Sequence, residues 1–189
     1  PPNVEHPLVQ HPKVTHTAHL GANTFEAQDR VGEAVLERVI ETLQGNLAYA
    51  LNTGFDPEGL QMFQGWLPLG EALGKLLAQI TQGRPQALEV TFYGDFEKNP
   101  DPIASAVAKG LLGSVLEEGA VNLVSARPLL RDRGIPLSPR HVDQPKDYLQ
   151  VIEVALETDR ETRKARGAVL GGKPRIVGID SQHVEVGPE

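Results

Sequence analysis

Apolar and polar residues change rhythm several times along the 189-residue chain. Val31, Val35, Leu36, Val39, Ile40 and Leu43 recur at intervals of three and four, with Arg30, Glu33, Glu37, Glu41 and Gln44 between them and Arg38 at the border. A helical period gathers the first set on one side of a helix over 24–44 and the second on the other. Asn23 is placed to cap that helix, with Glu26 three residues on to complete a capping box, and Gly45 to end it. Upstream, four prolines in 1–12 read as an extended connector, and Lys13–Thr17 reads as a short strand stopped by Gly21.

Leu47–Leu51 alternates like a strand, and the turn chemistry of 52–57 marks a domain boundary. Pro68 suits the first turn of a second helix whose Leu69, Leu73, Leu76, Leu77 and Ile80 share a face, ending near Gly83. Leu88–Tyr93 alternates as a half-buried strand. Asp101-Pro102 opens a third helix with Ile103, Val107, Leu111 and Val115 inward, and Ala104, Ala108 and Gly110 allowing close packing. Further strands are expected at 121–124, 148–156 and 164–170, a short helix at 127–133 closed by Gly134, a turn at Gly171-Gly172, and a last hairpin of 175–179 with 183–186. The order predicts a mixed α/β, α+β-like fold: a small mixed sheet with packed helices, preceded by a strand and a long helix. Residues 1–53 and 54–189 are the two expected domains.

Composition narrows the classes. Forty per cent apolar and 23% charged residues describe a globular chain. No run approaches the length of uncharged apolar sequence that crosses a bilayer, and no basic-then-apolar leader opens the chain, so no membrane role is expected. Zero cysteines remove disulfides, thiol nucleophiles and Cys-based metal sites, which suits a cytoplasmic protein. A net charge of −7 argues against a nucleic-acid partner. The charge is uneven: residues 127–175 hold 11 Lys and Arg against 7 Asp and Glu, whereas 1–126 hold 7 against 15. That basic stretch suits either a small anionic ligand or a solvated, salt-bridged face.

Several motifs fail on inspection. Gly167–Lys173 fits the first seven positions of a phosphate-binding P-loop, but Pro174 stands where Ser or Thr must open a helix, so a hairpin is expected. No two of the 19 glycines stand two positions apart, as the opening GxG of a GxGxxG dinucleotide loop requires. His6, His11, His16 and His19 cluster in sequence with only Glu5 nearby as a further ligand, so no metal site is expected. No GxSxG elbow is present.

Thr17-Ala18-His19-Leu20-Gly21-Ala22-Asn23-Thr24-Phe25-Glu26-Ala27-Gln28, continuing into Arg30-Val31-Gly32, resembles the Thr-Pro-His-Leu-Gly-Ala-Ser-Thr segment of D-3-phosphoglycerate dehydrogenases, within the D-2-hydroxyacid dehydrogenases. Pro1-Pro2 and His6-Pro7-Leu8 resemble the run into it. Leu67–Gly74, Val121–Ala126, Arg133-Gly134-Ile135 and Gly172–Asp180 resemble the extra domain of the family's long form. The resemblance implies an NAD cofactor, 3-phosphoglycerate and 3-phosphohydroxypyruvate as substrate and product in serine biosynthesis, and a homo-oligomer. It implies His19 as the acid/base group for the C2 hydroxyl, with Leu20, Gly21 and Ala22 as backbone contacts to the cofactor. Ala18 replaces the family's proline, which loosens the backbone ahead of His19, and Asn23 replaces its serine.

The family's substrate-binding arginine, glutamate partner and glycine-rich domain are expected upstream of Pro1, and its ACT domain beyond the last hairpin. The 189 residues alone are therefore expected to be inactive. For the extra domain the resemblance implies an anionic effector, with Arg131, Arg133, Arg140, His141 and Lys146 as candidate ligands. The other reading is a stand-alone anion-binding or oligomerisation module without catalysis.

Overall fold

A computed structural model describes residues 5–17, 20–43, 62–96, 100–117 and 119–188. The chain divides into two compact units, Pro1–Tyr49 and Ala50–Glu189. The strand expected over 47–51 and the boundary turn at 52–57 lie outside the described residues.

In the first unit Pro7–Gln10 forms a single helical turn, α1. The prolines of 1–12 predict extended chain; instead Pro7, with its preset φ, starts a turn that the His6 ring caps by accepting the Leu8 amide at 3.2 Å. His11 accepts the Lys13 amide in the same way, also at 3.2 Å. Lys13–Thr17 is no strand: the Val14 amide turns back to the His11 carbonyl at 2.9 Å and no ladder forms among the described residues, and a strand exists only through its ladder. Helix α2 spans Phe25–Leu43, as the periodicity requires. Its cap is Thr24 and not Asn23, since Thr24 Oγ1 accepts the Ala27 amide at 3.1 Å. Val31, Val35, Leu36, Val39 and Ile40 are each about half exposed, between 49% and 63%.

The second unit is one six-stranded sheet with helices on one face. Its elements are α3 (Trp66–Ile80), β1 (Pro85–Tyr93), α4 (Asp101–Gly113), α5 (Ala126–Asp132), β2 (Leu137–Val142), β3 (Val151–Thr158), β4 (Thr162–Leu170), β5 (Lys173–Ile179) and β6 (Gln182–Val186). Strand order is β2-β1-β3-β4-β5-β6. Only β1 and β2 run parallel, and α4 and α5 make the crossover between them. The other neighbours are antiparallel. Gly171 and Gly172, both at positive φ, turn β4 into β5, which is why the P-loop-like run is a hairpin.

The core follows from the two periodicities. Leu88, Val90 and Phe92 of β1 and Ile152, Val154 and Leu156 of β3 point to one sheet face, which Leu69, Leu73 and Leu77 of α3 cover over β3 to β5 and α4 covers over β1 and β2. Helix α4 lies beside α3 and is buried nearly all round, from Pro102 to Ala108 and again at Gly110–Leu112. Val115, expected to continue its inner stripe, lies beyond the helix end and is 74% exposed.

Two further differences have local causes. Residues 121–124 form a turn and not the expected strand, because Asn122 Oδ1 accepts the amides of Val124 (3.0 Å) and Ser125 (2.8 Å) and so replaces the partners a strand would supply. Strand β2 is absent from the sequence pattern, since Pro139 interrupts it. The proline is tolerated because β2 is an edge strand, where a missing amide donor costs no ladder bond.

Candidate functional site

His19 lies outside the described residues. The residues that follow it do not. Leu20–Asn23 makes a turn closed by the Asn23 amide on the Leu20 carbonyl at 3.3 Å, and the Gln28 side-chain amide donates to the Ala22 carbonyl. The segment is thus held at the N-terminus of α2. Leu20 is 53% exposed and Gly21 is also exposed. Ala22 is half-buried.

The five basic positions of the second unit fall into separate places. Arg140 and Lys146 meet carboxylates of the helix-free sheet face. Arg140 Nη2 is 3.4 Å from Glu89 Oε2, and Lys146 Nζ is 2.6 Å from Glu153 Oε2 and 4.7 Å from the Tyr93 ring centroid. Burial alone would lower the Lys146 pKa; the hydrogen bond and charge of Glu153, with Tyr93, outweigh it and raise the pKa above the ordinary lysine value. His141, one residue from Arg140, points to the opposite face because strand side chains alternate. Its ring stacks on Phe92 with centroids 5.3 Å apart and a 30° interplanar angle.

Arg131 and Arg133 stand apart from these three, at the end of α5. Gly134 adopts φ +70° there, and the Ile135 amide returns to the Leu130 carbonyl at 3.0 Å, so the helix stops and the chain enters β2. Arg131 lines a cavity of about 510 Å³ with Arg127, Pro128, Gly134, Pro136 and Leu137. Sequence reasoning passes over Arg127, although its four-residue separation from Arg131 puts both guanidiniums on one helix side. It is fixed by Asp101, whose Oδ1 lies 2.9 Å from its Nη2, and its buried Nε has no hydrogen-bond partner among the described residues. Two guanidiniums one turn apart over a cavity can take the oxygens of a small anion.

Among the described residues, no three His, Asp or Glu side chains gather into a metal-binding group, and no helix is long and apolar enough to cross a membrane.

Comparison with known proteins places these features. The chain is similar to the D-3-phosphoglycerate dehydrogenase of Archaeoglobus fulgidus, with 30% identity over 100% of this chain and 36% of that protein. The enzyme of the same name from Methanocaldococcus jannaschii is 32% identical over 100% of this chain and 36% of its own length. That of Synechocystis is 34% identical over 91% and 32%. The chain therefore spans about a third of the length of these relatives. Residues 62–180 match the D-3-phosphoglycerate dehydrogenase intervening domain. That match covers the sheet from β1 to β5 together with α3, α4 and α5, more than half of all residues, and the chain belongs to the D-3-phosphoglycerate dehydrogenase intervening domain family.

Proposed function

We propose that these residues are part of an NAD-dependent dehydrogenase that oxidises 3-phosphoglycerate to 3-phosphohydroxypyruvate in serine biosynthesis. The carrying observation is that similarity to D-3-phosphoglycerate dehydrogenases runs through the first unit as well as the intervening domain. In this reading His19 holds the proton of the substrate's C2 hydroxyl, next to the turn pinned by Asn23 and Gln28. Accepting the hydride is the chemistry the nicotinamide supplies. Base, cofactor and substrate must be positioned together, and the 189 residues supply only the base. NADH oxidation with 3-phosphohydroxypyruvate should therefore be absent from the 189-residue chain and present in a protein that also carries the remaining length of the relatives. His19→Ala should lower kcat there by at least about a hundredfold, as loss of a general base does. Turnover by the 189-residue chain above its own His19→Ala control would refute its inactivity, and an unchanged kcat in the longer protein would refute the role of His19.

The intervening domain, in the same proposal, receives an anionic effector at the α5–β2 cavity, through Arg131 and Arg127. Titration with 3-phosphoglycerate and with inorganic phosphate tests this. Arg131→Ala should weaken binding at least about tenfold, the effect of losing one charge-assisted bond pair. A second reading, an anion-binding or homo-oligomerising module without catalysis, is favoured by the second unit's having a core of its own. Absence of turnover in the longer protein, with effector binding intact, would select it.

A further inference from the structure

A second cavity lies on the other side of the α5–β2 connection, and its lining is of another kind. It has a volume of about 380 Å³, within the range of small-molecule sites. Its walls are apolar: Leu111 and Leu112 from the last turn of α4, Ile135 beyond α5, and Leu156 from β3. Arg84 and Arg133 stand over it. Arg84 has no side-chain partner among the described residues. Arg133 spends one N–H on the Leu129 carbonyl at 3.1 Å and meets no carboxylate among them. Thr81 also lines the cavity, and its buried Oγ1 has no hydrogen-bond partner among the described residues. An unmet buried hydroxyl costs stability, so its position beside two arginines that meet no carboxylate among the described residues calls for a partner.

Charge decides what that partner is. Helices α3 and α4 both end at the cavity, and each C-terminus carries about half a negative charge. Against these, the two guanidiniums carry a full positive charge each. Asp159 and Glu161, at the nearby β3–β4 turn, do not line the cavity. Their carboxylates are engaged by the amides of Arg84 at 2.7 Å and Gln82 at 2.6 Å. Two guanidiniums over an apolar floor fit a small carboxylate with an apolar body.

We propose that this cavity binds a small monocarboxylate bearing an aryl or branched apolar group. The carboxylate lies between Arg84 and Arg133 and takes the Thr81 hydroxyl, while the apolar group rests on Leu112, Ile135 and Leu156. The inference is independent of the dehydrogenase reading, because it uses a different cavity and a different ligand class.

Calorimetric titration of the 189-residue chain with 4-phenylbutanoate tests it, with 4-phenylbutan-1-ol and inorganic phosphate as the other arms. The expected result is one site for the carboxylate, with the alcohol weaker by at least tenfold and phosphate unaffected by Arg84→Ala. Arg84→Ala and Arg133→Ala should each weaken the carboxylate at least tenfold, whereas Arg131→Ala leaves it unchanged. Thr81→Val should weaken it too without lowering the chain's own stability, which separates a ligand-binding hydroxyl from a structural one. The proposal is overturned by no binding up to about 10 mM, by binding that survives both arginine substitutions, or by equal affinity for the alcohol. The surviving case would place the ligand on the exposed stripe of α2.

Discussion

Gly74 of α3 and Gly110 of α4 let the two helices touch backbone to backbone, each glycine facing the other helix. A methyl group on Gly74 would lie 2.0 Å from the Val107 carbonyl oxygen, and one on Gly110 would lie 1.9 Å from that of Glu71. Both distances are shorter than any non-bonded contact, and carbonyls within helices cannot rotate away. Alanine at either position must therefore push the helices apart, against a sheet whose side chains are already close-packed. Gly74→Ala and Gly110→Ala should each destabilise the chain by about 1–3 kcal/mol or more, read as a lower urea midpoint. Gly113→Ala, with nothing within 4 Å of the added methyl, serves as the control and should be stabilising or neutral.

Thr158 ties the β3–β4 turn to the connection between α3 and β1. Its Oγ1 accepts the amides of Arg160 (3.2 Å) and Glu161 (3.0 Å), and its proton lies within reach of the carbonyls of Gln82 (2.7 Å) and Glu161 (2.9 Å). Thr158→Val keeps the shape and leaves these groups unmet. The expected cost is about 1–3 kcal/mol. Faster amide hydrogen exchange at Arg160 and Glu161 would locate it, and unchanged exchange would show that the hydroxyl holds nothing.

Lys146 supplies a pH signature. Its pKa is raised in the folded chain, because Glu153 and Tyr93 outweigh the opposing effect of burial. A raised folded value means that the stabilisation is fully present below the unfolded lysine value of about 10.4 and is lost as pH rises through the folded one. The stability difference between the chain and its Lys146→Met variant should thus be constant at neutral pH and shrink above about pH 10. The pair is partly exposed, so the difference should not exceed about 1 kcal/mol.

The stripe of α2 predicts self-association. Leu36 and Ile40 are 63% and 53% exposed and sit on one helix side, and a contiguous apolar surface of this kind draws partners. Leu36→Glu with Ile40→Glu should lower the apparent mass in light scattering at high concentration. Since neither side chain is buried, stability should change by no more than about 0.5 kcal/mol per site. A full loss of stability would mean that the stripe is packed in the isolated chain.

Elements with strong local patterns are legible in the residue order. The α2 stripe, the α3 leucines, the alternation of β1 and the Gly171-Gly172 turn each encode their geometry within a few residues. Elements that depend on a partner are not legible in this way. Residues 13–17 look like a strand and have no ladder, while β2 looks interrupted by Pro139 and is a strand because β1 offers its edge. The short helical turn at Pro7 and the Asn122 turn escape the pattern because single side chains, His6 and Asn122, supply the bonds that fix them.

The candidate site divides in the same way. Sequence alone determined that 127–175 is basic, which charges it holds and which segments resemble a known family, since these are properties of residues in order. Only the tertiary structure decided that Arg140 and His141 point to opposite faces, that Lys146 is matched by Glu153, that Arg127 is held by Asp101, and that Arg84 joins Arg133 across about fifty positions of sequence. A charge in sequence has no direction until its backbone has a sheet face or a helix end to be on, and it has no free valence until every neighbouring carboxylate is placed.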